Sequence, residues 1–332
     1  MEENFEKSLQ IVQAVRSAMA ETIVGQESLV DGILIACIAG GHVLLEGVPG
    51  LAKTLAVKTF AELSALTFKR IQFTPDLLPA DLVGTLIYNR DKAEFSARKG
   101  PIFANLVLAD EINRAPAKVQ SALLEAMAEG QVTIGDVTHI LPDPFFVLAT
   151  QNPIEQEGTY TLPEAELDRF LFKLHVPYPS MEEEGRIVAM ADTLTSRDRS
   201  ALSKKQVISA EDLVSVRKDV RKVTCEGSLI DYIVRMVAAT RPVQSARSEK
   251  RNREDYIKYI SFGASPRASI ALCQTAKIHA LFEGRGYVLP EDIKAVAHPV
   301  LRHRLVLSYE AGAENLSADE IIDLILAIVP LP

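Results

Sequence analysis

One segment of the sequence, Gly47-Val48-Pro49-Gly50-Leu51-Ala52-Lys53-Thr54, has the spacing of a loop that binds phosphate groups. Its glycines let the backbone wrap so that successive N–H groups point at phosphate oxygens. In this pattern the Lys53 ammonium reaches the β- and γ-phosphates, and the Thr54 hydroxyl binds Mg²⁺. The usual pattern has glycine before the lysine, whereas this chain has Ala52, which adds only a methyl group. The candidate ATP-binding residues of this segment are Gly47, Val48, Pro49, Gly50, Leu51, Ala52, Lys53, Thr54 and Leu55.

Two adjacent carboxylates, Asp110 and Glu111, follow the apolar run Leu106–Ala109. Asp110 can hold Mg²⁺ through water and joins the ATP-binding set, while Glu111 can polarise the water that attacks the γ-phosphate. An acidic pair after a strand is common by chance, but one that follows a phosphate loop by about sixty residues is not. The two motifs together predict an ATPase that uses Mg²⁺.

A third polar group, Asn152, stands at the end of another apolar run, Phe145–Thr150. A neutral amide carries both a donor and acceptors, so Asn152 could donate to the γ-phosphate or orient the attacking water. An asparagine before proline is, by itself, more typical of a turn. Its position at a strand end, where ligands bind in such sheets, favours a catalytic role here.

These residues need a sheet whose strand ends meet at one edge. Short apolar runs predict strands at His42–Glu46, Phe68–Phe73, Ala104–Ala109 and Phe145–Thr150, and the pattern Ala117–Glu129 predicts an intervening helix. Runs that are apolar throughout are typical of parallel strands buried on both faces. We therefore expect an α/β fold with a doubly wound, mainly parallel sheet.

Two hairpins are predicted to interrupt this sheet, at Leu86–Arg98 and at Gln131–Leu141, the second of which alternates around Gly135-Asp136. After Pro177-Tyr178-Pro179 the pattern becomes helical. The predicted domains are therefore an ATPase core at residues 1–179 and an α-helical lid at 180–332.

Composition excludes some classes of protein. With 332 residues, 48% of them hydrophobic, and a net charge of −8, the chain is an ordinary globular protein whose charge argues against nucleic-acid binding. The longest apolar stretch, Ile33–Leu45, is interrupted at Gly40-Gly41-His42 and is too short to span a membrane. The N-terminus lacks the features of a signal peptide, so we expect residence in the cytoplasm.

With these motifs placed, the chain resembles the MoxR family of AAA+ ATPases over nearly its whole length. The resemblance includes the alanine before Lys53, which this family also uses. It implies an αβα ATPase core, a helical lid, and homo-hexamers with ATP, and later ADP, between neighbouring subunits. The segments that carry it are Ile23–Gln26, Gly47–Thr54, Gln72–Asp76, Ala109–Ala115 and Ala149–Pro153.

The resemblance also implies roles for two arginines and both hairpins. Leu167-Asp168-Arg169-Phe170 resembles the stretch that presents an arginine finger to the neighbouring subunit's γ-phosphate, and Ser265-Pro266-Arg267-Ala268 resembles sensor 2. The hairpins resemble the helix-2 insert and the hairpin before sensor 1, which project toward the ring pore. From the sequence alone, both arginines would be read as surface residues.

The function implied by this resemblance is chaperone-like remodelling of partner proteins. Relatives commonly act with a von Willebrand factor type A domain protein in maturation or cofactor insertion, and such a partner would act in trans. An alternative is a nucleic-acid-dependent motor related to helicases with a helix-2 insert, which the mixed charges of the first hairpin disfavour. A non-hydrolysing nucleotide-binding scaffold is a third reading, which the complete set of catalytic residues argues against.

Overall fold

The computed structural model describes residues 2–48, 50–51, 53–91, 93–152, 159–193, 206–242 and 254–332. Pro49 and Ala52, two of the candidate ATP-binding residues, lie outside the described residues. The chain divides into two compact units. The first, here the sheet unit, comprises Gln10–Phe170 and Leu174–Val214, and the second, the helical unit, comprises Met1–Leu9, Leu171–Lys173 and Ser215–Pro332. The predicted domain boundary after residue 179 stays a prediction.

A five-stranded sheet forms the centre of the first unit. Its strand order is β2-β5-β8-β1-β9, and the pairs β1/β8, β2/β5 and β5/β8 are parallel. Every residue of the strand Leu106–Asp110 is buried, as its apolar sequence requires. The prediction of a mainly parallel α/β sheet is confirmed. The strands are β1 (Val43–Glu46), β2 (Phe68–Gln72), β3 (Gly84–Asn89), β4 (Glu94–Lys99), β5 (Leu106–Asp110), β6 (Gln131–Ile134), β7 (Val137–Ile140), β8 (Phe146–Gln151), β9 (Phe172–His175), β10 (Ile260–Phe262) and β11 (Val306–Leu307).

Helices follow the strands in the first unit and dominate the second. One α-helix shows why they form where they do: its buried residues Val119, Leu123 and Met127 recur every four positions, and Gly130 ends it with a left-handed backbone. The helices are α1 (Glu2–Ala20), α2 (Glu27–Ala39), α3 (Lys53–Leu63), α4 (Pro79–Val83), α5 (Ala117–Glu129), α6 (Glu164–Leu167), α7 (Met181–Thr193), α8 (Ala210–Val220), α9 (Gly227–Ala239), α10 (Glu254–Ile257), α11 (Pro266–Phe282), α12 (Pro290–Leu301), α13 (Tyr309–Ala313) and α14 (Ala318–Ile328).

Both predicted hairpins are present. Strands β3 and β4 pair antiparallel, with Tyr88 opposite Phe95, and β6 pairs with β7 around the turn at Gly135. All six residues of β4 are exposed. The hairpins therefore stand apart from the central sheet as separate two-stranded ribbons.

The helical unit adds a small antiparallel sheet, β10 with β11, which the sequence did not predict. Its interior includes the fully buried side chains of Tyr232 on α9 and Leu272 on α11. Within the residues described for either unit, no helix combines the length and apolar character needed to cross a membrane.

Candidate functional site

A cavity of about 640 Å³ lies in the sheet unit where the strands end. Several predicted site residues line it together, from the phosphate loop, from the acidic pair and from the end of β8. Gly47, Val48 and Arg169 lie outside the described lining. The lining residues are Thr22, Ile23, Val24, Gln26, Gly50, Leu51, Lys53, Thr54, Leu55, Arg70, Gln72, Asp110, Glu111, Thr150, Asn152, Pro179 and Ile187.

Two glycines shape the loop between β1 and α3. A Cβ at Gly47 would lie 3.0 Å from the carbonyl oxygen of Val176, the residue after β9, so a side chain there would be crowded by this backbone. Gly50 has a φ of 88°, a conformation that residues with a side chain rarely adopt. The sequence pattern of this loop therefore has a local steric cause.

Lys53 is the first residue of α3, and its ammonium donates to the carbonyl oxygens of Gly47 and, at 3.4 Å, Gln151. Burial lowers the pKa of Lys53 below its usual value, while the carboxylates of Asp110, Glu111 and Glu46 act in the opposite direction. The ammonium is thus partly removed from water. A phosphate brought to this position would interact with it more strongly than in bulk solvent.

Thr150 connects the two acids. Its hydroxyl donates to Asp110 Oδ1 at 2.7 Å and accepts the backbone N–H of Glu111 at 2.8 Å. The other carboxylate oxygen of Asp110 accepts from Arg70, through Nε at 3.1 Å and Nη2 at 2.5 Å. Both oxygens of this buried carboxylate are therefore held in place.

The side chain of Glu111 is held from two sides. Gln72 Nε2 donates to Glu111 Oε2 at 2.7 Å, and Arg114 Nε lies 3.1 Å from the same oxygen. The backbone of Glu111 has a φ of 57°, which is strained for a residue with a side chain and is typical of functional sites.

Arg70, Gln72 and Arg114 were not predicted as site residues. Arg70 and Gln72 alternate along β2, so both side chains project from the same face of that strand, beside β5. This alternation of polar residues before a Thr-Pro turn is a sequence signal that marks Arg70 and Gln72, although it does not reveal their partners.

The remaining predicted residues lie as follows. Asn152 is buried, directly follows β8 and lines the cavity. Arg169 comes after α6, and its Nη1 donates to the carbonyl of Leu124 at 3.2 Å. Arg267 belongs to the helical unit, in the first turn of α11, where its backbone N–H donates to Ser265 Oγ.

The two residues predicted to hold a metal, Thr54 and Asp110, fit Mg²⁺. The Thr54 hydroxyl and the Asp110 carboxylate are oxygen ligands of the kind that Mg²⁺ binds, one or two at a time, together with water and phosphate. In the described ranges, no group of three or more His, Cys, Asp or Glu side chains could hold a metal alone.

Comparison with protein families gives two matches. Residues 42–172 match the ATPase family associated with various cellular activities (AAA), and residues 253–325 match the AAA lid domain. The first match contains the whole acidic pair and phosphate loop.

Comparison with individual proteins gives matches along most of the chain. It is 50% identical to Chaperone MoxR1 of Mycobacterium tuberculosis, covering 93% of this chain and 79% of that protein. Protein MoxR of Paracoccus denitrificans is 32% identical, with 95% of each chain covered. A crystal structure from Cytophaga hutchinsonii, described as that of a candidate ATPase, is 48% identical and superposes with a TM-score of 0.90 over 100% of this chain and 98% of the other.

Proposed function

This chain belongs to the MoxR family of AAA+ ATPases, and from that premise we propose that it hydrolyses ATP with Mg²⁺ in the cavity of the sheet unit. One observation carries the proposal: Lys53, Thr54, Asp110, Glu111 and Asn152 line a single cavity. A phosphate-binding cation, oxygen ligands for a metal and a candidate base thus lie where one triphosphate could contact them all.

Each residue has a proposed part in the reaction. The loop of residues 47–55 and the Lys53 ammonium bind the phosphates, and Thr54 and Asp110 would hold Mg²⁺, which would supply positive charge for phosphoryl transfer. Glu111 orients the attacking water and accepts its proton, with its carboxylate kept in place by Gln72 and Arg114. Asn152 contacts the γ-phosphate or that water.

Two arginines complete the proposed site. We assign Arg169 as a finger that reaches the γ-phosphate bound by a neighbouring subunit in a homo-hexamer, and Arg267 as sensor 2. A guanidinium spreads fixed charge over transition-state oxygens, and such fingers contribute on the order of 10³- to 10⁵-fold to the rate.

ATP hydrolysis, in our proposal, drives the remodelling of partner proteins. The name of the mycobacterial relative, a chaperone, supports this class of function. The partner we propose is a von Willebrand factor type A domain protein acting in trans, in maturation or cofactor insertion.

Replacement of Lys53 tests nucleotide binding. Lys53→Ala should weaken ATP binding by about 10- to 100-fold, because a charged hydrogen-bond donor to phosphate is lost. The matched control is Lys58→Ala: Lys58 lies on the same helix but is exposed and pairs only with Glu62 in the described structure, at 3.8 Å. Calorimetric titration that finds equal losses for both variants would remove Lys53 from its role.

The partner proposal has its own test. The Glu111→Gln protein, loaded with ATP and used as bait in extracts of its own organism, should retain a von Willebrand factor type A domain protein. The Lys53→Ala bait should not. Recovery of that domain with neither bait, or equally with both, would count against an ATP-controlled partner of this class. Stimulation of hydrolysis by DNA, falling steeply with salt, would instead support the motor reading.

A further inference from the structure

Arg70 binds the carboxylate that is proposed to hold the metal. Its Nε and Nη2 atoms both donate to Oδ2 of Asp110, at 3.1 and 2.5 Å, and the Thr150 hydroxyl donates to Oδ1 at 2.7 Å. The Asp110 side chain is only 11% exposed. A metal ion that reaches this carboxylate must therefore come close to the guanidinium as well.

The charged residues in the described part of the cavity lining balance one another. Lys53 and Arg70 carry one positive charge each, and Asp110 and Glu111 carry one negative charge each. A divalent cation that enters by itself adds two positive charges to this neutral lining. A divalent cation that enters with ATP brings a net negative charge, because the triphosphate carries more charge than the metal neutralises. Coulomb energy therefore opposes the metal alone and favours the metal with nucleotide.

The guanidinium of Arg70 can release Asp110 and still be solvated and hydrogen-bonded. Its side chain is 52% exposed, so water can hydrate the charge once the ion pair is broken. Its Nη2 also lies 3.4 Å from Gln72 Oε1, a second acceptor on the same strand. A fully buried ion pair is costly to break because each partner would be left without water. The ion pair of Arg70 with Asp110 is instead one that a competing cation can open.

We propose that Arg70 competes with Mg²⁺ for Oδ2 of Asp110 and thereby makes metal binding depend on nucleotide. Arg70 is a positioning residue in this proposal: it holds the Asp110 carboxylate in place and disfavours the metal without ATP. The proposal rests on the function proposed above, because it takes Asp110 as the residue that holds the metal.

Lys69 provides a matched control on the same strand. It directly precedes Arg70 on β2, so its side chain projects from the opposite face. Lys69 is exposed and is absent from the described lining of the cavity. Replacement of either residue by glutamine removes one positive charge from β2, but only Arg70→Gln removes the donors to Asp110.

The test measures the affinity of the protein without nucleotide for Mn²⁺, a probe of Mg²⁺ sites whose free concentration is read by electron paramagnetic resonance. We expect Arg70→Gln to bind Mn²⁺ about tenfold more tightly than wild type, because a charge-assisted hydrogen bond, weakened by its exposure to solvent, no longer has to be displaced. Lys69→Gln should bind Mn²⁺ as wild type does. In the double variant Arg70→Gln/Asp110→Asn the gain should disappear.

A second measurement adds the non-hydrolysable analogue adenylyl imidodiphosphate. The difference in Mn²⁺ affinity between wild type and Arg70→Gln should then become smaller, because the triphosphate offers the guanidinium another anion. A difference that stays the same with the analogue would show that Arg70 does not link metal binding to nucleotide.

Three further results would overturn the proposal: no gain of Mn²⁺ affinity in Arg70→Gln, an equal gain in Lys69→Gln, or a gain that survives Asp110→Asn. Failure of the proposed function itself would look different. Wild type would then not bind the analogue, or Asp110→Asn alone would leave Mn²⁺ binding with the analogue unchanged.

Discussion

At the scale of single residues, Thr150 links the groups that would bind the metal and activate water. One hydroxyl fixes the Asp110 carboxylate and the backbone of Glu111 at the same time. Two functional acids on one strand end need such a connection, because adjacent residues of a strand project to opposite faces. The left-handed backbone conformation of Glu111 changes the direction of the chain after Asp110, and the hydrogen bond from the Glu111 N–H to the Thr150 hydroxyl stabilises this conformation.

Replacement of Thr150 by valine, which has the same shape but no hydroxyl, should lower kcat for ATP hydrolysis by about 10- to 100-fold, since both hydrogen bonds are lost. ATP binding should change little, because the Lys53 contacts remain. Steady-state kinetics and titration measure the two effects. Thr150→Ser should restore most of the rate; a serine variant as slow as the valine variant would argue against this role for the hydroxyl.

Spacing alone predicted that Lys53, Asp110, Glu111 and Asn152 lie together, because the carboxyl ends of neighbouring parallel strands meet at one edge. All four line the cavity, although their catalytic roles stay predictions. Arg70 could not be predicted in the same way. Its partner Asp110 is forty positions away in sequence, and the pairing depends on β2 lying beside β5, which no local pattern reveals.

At the scale of elements, His42 joins three of them. His42 lies directly before β1. Its Nδ1 accepts a hydrogen bond from the N–H of Val147 on β8 at 3.1 Å, and its Nε2 donates to the carbonyl oxygen of Met127 on α5 at 3.2 Å. The bond from Val147 requires an unprotonated Nδ1, whereas the bond to Met127 is kept in either charge state of the ring. Burial lowers the pKa of His42 to about 4, and the bond to the Met127 carbonyl acts weakly in the opposite direction.

This pKa predicts a pH-dependent stability. Because the folded pKa is below the unfolded value of about 6.5, the contribution of His42 is complete above pH 6.5 and is lost as pH falls toward 4. The free energy of urea unfolding, followed by circular dichroism, should fall by about 2 kcal/mol between pH 7 and pH 5 from this group alone. His42→Gln, which does not titrate, should lack this part of the slope. Identical slopes in both proteins would contradict the assignment.

The elements also show where sequence patterns fail. The sequence predicted α5 because its helical periodicity is long, and it predicted both hairpins because their turn residues are specific. Strand β9, only four residues long, was not predicted. It is a strand because it completes the edge of the sheet beside β1, and that neighbour is set by the fold rather than by its own residues.

At the scale of the whole molecule, the proposed arginine finger requires an assembly of subunits. A finger that acts in trans, as proposed for Arg169, makes each site depend on two subunits. Neither Arg169→Ala nor Lys53→Ala should hydrolyse ATP alone, the first for lack of a finger and the second for lack of the lysine that contacts the phosphates.

Mixing these two variants should restore hydrolysis. At equal proportions up to about a quarter of the sites regain turnover, because half of the Arg169→Ala subunits then receive a finger from a Lys53→Ala neighbour. Phosphate release across a series of mixing ratios measures this. Rates that never exceed the weighted sum of the two separate variants would show that Arg169 does not act between subunits.

The most direct test of the central claim, that one cavity binds ATP and supplies the base for its hydrolysis, is a comparison of wild type with Glu111→Gln. Calorimetry and phosphate release on the same preparations give binding and turnover. For Glu111→Gln we expect an ATP affinity within about threefold of wild type and a turnover lower by on the order of 10²- to 10⁴-fold, the contribution of a general base. Unchanged turnover in Glu111→Gln, or no ATP binding by the wild-type protein, would contradict it.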